Sequence, residues 1–517
     1  MPELEPLPDA RYVMLVGAIP PNYGGRTASI LTKCRLLKEI GGVDSTIVTL
    51  NYAPRSRDMS ADLRQRGLLA DGVTIVNLHE YLRGRANPAP AVRHDVEEPG
   101  MDALPDKNQE GVYRYFENGV YRLYKRFDSE GRLEVRDWFN NNRARTRREE
   151  FNLDGTIART TYMDLRRNTP RQQVFFRADG SPYLNKWLVP EPGTRNSVVE
   201  RVTLLDHEGR PTKAMGDDVA LAQHFLAELV GGDRVFLTVE SRRADRETLS
   251  FSRPNVKHLV VLHNPHLLGS GRDPQRIRPS YQPMFDHRDE LDGVVFLTNA
   301  QRADAEANFG ERENFRVVPH PMRSGVAQVP FEQRDPNLVV MLARLDQQKR
   351  VSHAIDAFAL VVQAVPAARL EIYGQGDDRA ELEDQIDRLG LGGSVTLPGY
   401  TTDPGGVYDR AALSLLTSRY EGYPLVLLET LAHGCPVVAY DVKYGAREIL
   451  SDDVNGYLVK SGDYQALAQR VIAVLRDPAL RRRLSDQAGS PHPEFSEHTF
   501  VARWSKVFRD LDEQGWV

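Results

Sequence analysis

Residues 413–441 carry a pattern that few folds can satisfy. The apolar run Leu413 to Leu416 gives way to a turn ending in Glu421-Gly422-Tyr423-Pro424. Leu425-Val426-Leu427-Leu428-Glu429-Thr430-Leu431-Ala432 then reads as a helix. His433-Gly434 stops it, and Cys435-Pro436 leads into the strand Val437-Val438-Ala439-Tyr440-Asp441. Strand, turn, helix and strand make an α/β unit, and open α/β sheets bind ligands at the C-terminal edge of their strands. Glu421 falls in that loop, and Glu429 is expected about two turns into the helix on a similar face. Between them lies a helix N-terminus, whose free N–H groups and positive dipole end attract anions. Carboxylates able to hold sugar hydroxyls, flanking an anion site, suit a nucleotide-sugar. Two solvated acids on an amphipathic helix would give the same spacing, so other segments must decide.

Bulk properties narrow the class. A chain of 517 residues with 41% apolar and 27% charged residues is an ordinary globular protein of more than one domain. Its net charge of -5 argues against general nucleic-acid binding. Cys34 and Cys435 are too few and too far apart for a disulfide framework, which fits a reducing compartment. No apolar run approaches the ~18 residues of a membrane span. Met1 to Ala10 is acidic and Pro-rich, unlike a secretory signal. Together these point to the cytoplasm, with attachment to the inner membrane surface left open.

Periodicity divides the chain. Tyr12 to Val16 is a strand of buried type, Gly17 to Arg26 a Pro/Gly loop, and 27–40 a helix with Ile30, Leu31, Cys34, Leu37 and Ile40 at helical spacing. Strands at 45–50 and 74–78 follow. The α/β pattern returns with a helix at 219–230 and strands at 234–239, 258–263, 291–298 and 317–319. After the Pro-rich stretch 319–336, a second α/β run starts at Asn337 and alternates strands with helices at 352–364, 378–389 and 464–475. A last helix covers 499–511.

The intervening segment differs. Residues 87–106 are rich in Pro and charge and read as a connection. From 111 to 213, strand-like alternation is broken by turns whose glycines are Gly131, Gly155, Gly180 and Gly209. Asp-Gly between alternating runs, as at 154–155 and 179–180, is a strong hairpin signal. The segment reads as repeated β-hairpins in one antiparallel sheet. It holds 20 Lys+Arg against 14 Asp+Glu, an excess of +6 in a net acidic chain. The expected class is α/β. Residues 1–100 and 216–325 form one Rossmann-like domain, 101–215 an inserted sheet, 326–498 a second Rossmann-like domain, and 499–517 a terminal helix.

Glu421-x7-Glu429 resembles the signature of retaining glycosyltransferases with the GT-B fold, in which two Rossmann-like domains face a cleft. The continuation Ala432 to Ala439, and Gly456 within Asn455-Gly456-Tyr457-Leu458, fit the same family. The resemblance implies that the terminal helix crosses back onto the first domain. It implies that Glu421 lies near the donor sugar and Glu429 holds the ribose hydroxyls, with Gly422, Tyr423, Pro424, Leu425 and Val426 lining the donor site between them. Arg344 and Lys349, after the first strand of the second domain, match the pair that grips the nucleotide diphosphate. The chemistry agrees, because a diphosphate leaving group needs positive charge as its bond breaks, and Arg offers a fork where Lys offers a point charge. Gly24 and Gly25, followed by Arg26, match a Gly-Gly beside donor and acceptor, and glycines let backbone N–H groups come close. His263, in His263-Asn264-Pro265-His266, matches a His near the donor sugar in related teichoic-acid enzymes. It is expected to hydrogen-bond the sugar and stabilise developing positive charge. Tyr400 would lie by the nucleobase.

There is no Asp-x-Asp in a strand–loop setting and no Cys/His cluster. No metal or other cofactor is expected, and Arg344, Lys349 and the helix N-terminus would stabilise phosphate instead. The inserted sheet and Val442-Lys443-Tyr444-Gly445 are similar to the subgroup that decorates wall teichoic acids, poly(ribitol-phosphate) or poly(glycerol-phosphate). That implies UDP-glucose or UDP-N-acetylglucosamine as donor, an anionic polymer as acceptor, and a homo-oligomer, a trimer, built through the sheet. The +6 excess suits such a polymer. A subgroup that O-glycosylates serine-rich proteins also carries an inserted sheet. A non-catalytic GT-B binding or chaperone subunit would be expected to lack Glu421, Lys349 or His263. A Rossmann oxidoreductase would show a dinucleotide fingerprint with an acid about 20 residues further on, and neither is present.

Overall fold

The computed structural model describes residues 4–20, 24–54, 57–84, 91–269, 275–490 and 492–516. The expected loop over 17–26 lies outside the described residues at 21–23, and the expected connection over 87–106 does so at 87–90. No helix of the described residues is long and apolar enough to cross a membrane.

Three sheets organise the described residues. In the first, seven parallel strands run in the order Phe315–Val317, Gly293–Phe296, Val256–Val261, Val235–Val239, Arg11–Val16, Ser45–Thr49, Val73–Asn77. Val235–Val239 and Gly293–Phe296 are buried along their whole length, as strands must be when helices cover both faces. The chain moves outward from Arg11–Val16, then returns and pairs Val235–Val239 on its other side. At such a reversal the connections leave on opposite faces and open a crevice at the strand ends. The second parallel sheet repeats the plan with six strands. Asp335–Leu342 begins it, Arg369–Tyr373 and Val395–Gly399 lie to one side, and Ala411–Leu416, Val437–Asp441 and Gly456–Lys460 to the other. Its reversal falls between Asp335–Leu342 and Ala411–Leu416.

The third sheet interrupts the first domain. Ten strands from Asp102–Pro105 to Pro211–Met215 pair antiparallel in chain order. Gly131, Gly155, Gly180 and Gly209 turn alternate hairpins with φ of 76°, 77°, 83° and 77°, a region that favours glycine. The sheet docks on the first domain through Phe175, whose ring stacks on His79 at 5.0 Å and meets Tyr52 edge-on at 5.1 Å. Lys186 and Asp218 add an ion pair at 2.7 Å. Tyr115 and Phe175 are buried, but Trp187 remains 40% exposed.

The terminal helix Glu497–Glu513 is capped by Ser496, whose side chain accepts from Thr499 N. Its buried face closes on the first domain, with Phe508 5.0 Å from Tyr12 and 4.8 Å from Phe236. One hydrophobic core therefore runs through both parallel-sheet domains.

Two expectations need correction. The helix after Pro424 starts at Leu425 and ends at Ala432, so Glu429 is its fifth residue, little more than one turn in. The first strand of the second domain begins at Asp335, two residues before the expected Asn337.

Candidate active site

The reversals of the two parallel sheets each send two loops into the space between the domains. From the second sheet come the loop after Asp335–Leu342, with Arg344 and Lys349, and the loop after Ala411–Leu416, with Glu421. Thr417 Oγ1 donates to Lys349 O at 2.9 Å and Arg350 O at 3.0 Å, while Arg419 N–H donates to Gln348 O at 2.7 Å. This stitching brings together residues 72 apart in sequence. Lys349 Nζ reaches Glu421 Oε1 at 2.6 Å, and Ser418 Oγ donates to the same oxygen at 2.6 Å. The pair is nearly enclosed, with side chains 17% and 8% exposed. Arg344 stands apart. Its side chain is 65% exposed and held by Asp346 at 2.6 Å and by Gln348 Oε1 at 3.1 Å.

Glu429 projects from the helix Leu425–Ala432 and accepts no hydrogen bond among the described residues. It is open to the cleft, yet surrounding protein desolvates it and raises its carboxyl pKa, with His433 partly opposing. A carboxylate without an internal partner at a solvent-filled cleft is available to a ligand. Pro424 caps the helix, and Tyr423 packs edge-on to His320 at 5.6 Å. Leu425 and Val426 are half-buried. Tyr400 follows the strand Val395–Gly399 and is 67% exposed.

The first domain contributes the loops after Arg11–Val16 and Val235–Val239, and the end of Val256–Val261. Gly24 is the N-cap of the helix Gly25–Glu39. A Cβ on Gly25 would lie 3.1 Å from Leu425 Cδ1, so the N-termini of two helices from different domains nearly touch. At Gly422 a Cβ would lie 2.0 Å from His263 O. Glycine there is what allows the Glu421 loop to rest on the first domain. His263 Nε2 meets Glu240 Oε2 at 2.7 Å, and the other oxygen of Glu240 accepts from Lys33 Nζ at 2.9 Å. Burial alone would raise the Glu240 carboxyl, but Lys33 and His263 hold it down at about 2. Lys33 in turn lies 3.6 Å from the ring centroid of Trp504 on the terminal helix. His266 sits in the core beside Phe285 and Tyr444, fully buried and pushed down to about 4 by burial.

Sequence reasoning missed Glu240, Lys33 and Ser418. Glu240 had a signal, since it is an acid directly after a buried strand. Lys33 had half a signal, because a lysine on the face of its helix that otherwise reads as core announces burial but not the acid it meets. Among the described residues no group of three or more His, Cys, Asp or Glu side chains could hold a metal ion.

Two Rossmann-like domains with loops converging on a Lys–Glu pair, a free carboxylate on a helix and a Glu-oriented His define a GT-B protein. Residues 326–490 match the family Glycosyl transferases group 1, and the second domain is a domain of that kind. A poly(glycerol-phosphate) alpha-glucosyltransferase of Bacillus subtilis (strain 168) is 28% identical over 99% of this chain and 76% of its own length. A poly(ribitol-phosphate) alpha-N-acetylglucosaminyltransferase of Staphylococcus aureus (strain COL) is 23% identical over 96% of this chain and 99% of its own. The fold, inserted sheet included, is similar to that of a mutant of S. aureus TarM solved in complex with Fondaparinux, alpha-GlcNAc-glycerol and UDP. The TM-score is 0.83 at 22% identity, covering 96% of this chain and 99% of that one.

Proposed function

We propose that the chain is a retaining glycosyltransferase that moves glucose or N-acetylglucosamine from a UDP-sugar to a polyol-phosphate polymer. The observation that carries this reading is the junction at Gly422, where Lys349–Glu421 of one domain meets His263–Glu240 of the other. Relatives named for poly(glycerol-phosphate) and poly(ribitol-phosphate) match along almost the whole chain, which favours a polyol-phosphate acceptor over a serine-rich protein.

In this reading the second domain holds the donor. Glu429 accepts from the two ribose hydroxyls, Tyr400 lies by the base, and Val426, Leu425 and the backbone from Gly422 to Pro424 line the pocket. Arg344, Lys349 and the N-terminus of Leu425–Ala432 face the diphosphate, with Gly24 and Gly25 approaching from across the cleft. As the sugar–phosphate bond breaks, negative charge grows on the leaving UDP and is met by these fixed donors. His263, oriented by Glu240, faces the sugar. Glu421 positions Lys349 and the sugar together. These groups stabilise the leaving group without a metal ion, so a chelator should not change the rate, and a strict Mg²⁺ requirement would refute that part. The inserted sheet mediates a homotrimer. A donor screen measuring nucleotide release with purified chain tests the whole reading, run with and without poly(glycerol-phosphate) and poly(ribitol-phosphate). Absence of acceptor-stimulated release with every UDP-sugar would overturn it.

A further inference from the structure

Two arginines stand beside this site on the first domain with no acid among the described residues paired to them. Arg26, in the first turn of Gly25–Glu39, donates through Nη1 to Ser241 Oγ at 3.4 Å. Arg243 donates its backbone N–H to the same hydroxyl at 3.4 Å. Gly17 closes the group, since a Cβ there would lie 3.6 Å from Ser241 Oγ and 3.8 Å from Arg243 Cβ. Among the described residues neither guanidinium has a carboxylate at ion-pair distance. Glu240, adjacent to Ser241, is already engaged at both oxygens, by Lys33 and by His263. The residue between them, Arg242, does find an acid, Asp245 at 3.3 Å. Burial, followed by the charge of Arg243, pushes the Arg26 pKa down. Like charges gathered in a partly desolvated cleft are unfavourable until an anion bridges them.

We propose that Arg26 and Arg243 form a subsite for a phosphodiester of the acceptor, next to the hydroxyl that receives the sugar. This rests on the polyol-phosphate reading above. The placement separates it from the donor site. Arg344, Lys349 and Glu429 belong to the second domain, whereas Arg26 in the first turn of Gly25–Glu39 and Arg243 in the turn Arg242–Ala244 belong to the first, close to Glu240. In a polyol-phosphate every free hydroxyl lies within a few bonds of a phosphate. A phosphate held by two guanidinium forks near His263 therefore brings a hydroxyl toward the donor sugar. A serine side chain has no such phosphate, so the pair would also set acceptor class.

The test measures transfer by the whole chain to synthetic oligo(glycerol-phosphate) and to glycerol, with UDP affinity by calorimetry. Arg243 is exposed, so Arg243→Ala removes charge without opening the core, and Arg26→Ala is its companion. The ratio of kcat/KM for the oligomer to that for glycerol should fall about tenfold or more, chiefly through KM for the oligomer. Arg243→Lys should recover part of it. Equal losses with both acceptors would overturn the subsite. So would a fall in UDP affinity matching the loss of transfer, which would assign the pair to the donor diphosphate. If the unmodified chain glycosylates no polyol-phosphate, the polymer reading fails separately. The pair is then judged by calorimetry with sn-glycerol 3-phosphate in the presence of UDP. Weaker binding in Arg26→Ala/Arg243→Ala supports the subsite, and equal binding overturns it.

Discussion

Lys349 and Arg344 do different work although both are basic residues of one loop. Lys349 neutralises a nearly enclosed Glu421, so Lys349→Ala should abolish transfer and also destabilise the fold by about 3 kcal/mol, because it leaves a buried charge alone. The double variant Lys349→Met/Glu421→Gln should recover the Tm and remain inactive. Arg344 is exposed, so Arg344→Ala should keep the Tm and lose turnover by about a hundredfold. Near-normal turnover would remove it from the leaving-group site. Glu429→Gln should weaken UDP binding more than Glu421→Gln, since a carboxylate makes charge-assisted bonds to hydroxyls. The Glu429 carboxyl is raised, so UDP affinity should fall as pH drops through that raised value. Calorimetry should find this dependence flattened in Glu429→Gln. The reverse order between the two variants would exchange their roles. Glu240 behaves oppositely. Its carboxyl is held at about 2, below the ordinary 4.5. The folded value is the lower one, so its stabilisation is complete above pH 4.5 and is lost as pH falls toward 2. Acid unfolding of Glu240→Gln should be less steep in that window, and an unchanged slope would mean the pairing contributes nothing.

The elements act through their ends. The helix Leu425–Ala432 is short and apolar, and its N-terminus is aimed by Pro424 and by the contact of Gly422 with His263 O. Gly422→Ala would drive a methyl group into His263 O and force the domain junction open by more than an ångström. Transfer should then fall by about a hundredfold or more, while UDP binding, which the proposed function assigns to the second domain, should persist. Equal losses of binding and transfer would show that Gly422 shapes the donor pocket and not the domain junction. The helix Glu497–Glu513 acts at a distance. It places Trp504 over Lys33, which fixes Glu240, which orients His263, so the last helix of the chain buttresses a residue of the first domain.

At the scale of the molecule, the inserted sheet is the part whose surface is least explained by the fold. Leu104, Val120, Tyr162, Leu165, Trp187 and Val198 are all at least 37% exposed on it, and apolar side chains of this size are available to a partner copy. We expect light scattering to find a trimer, and Trp187→Glu with Tyr162→Glu to give a monomer that still hydrolyses donor. A monomeric unmodified chain would overturn this. Several cleft-and-sheet units on one assembly would engage one polymer with raised avidity.

The sequence by itself determined the local layers. Apolar runs of five or six residues bounded by turn residues read as covered strands, and Asp-Gly turns between alternating runs read as hairpins. The Glu421-to-Glu429 spacing marked the helix Leu425–Ala432 but set Glu429 about a turn too deep in it, because Pro424 at the N-cap leaves only four helical residues before Glu429. The order of strands, and hence the two reversals that gather the loops, was decided by tertiary structure. So was the partner of each charge. Lys349 meets Glu421 across 72 residues, and Lys33 meets Glu240 across 207. A charged residue on an otherwise apolar helix face announces burial but not its counter-charge, since that depends on which strand end the sheet order brings beneath it.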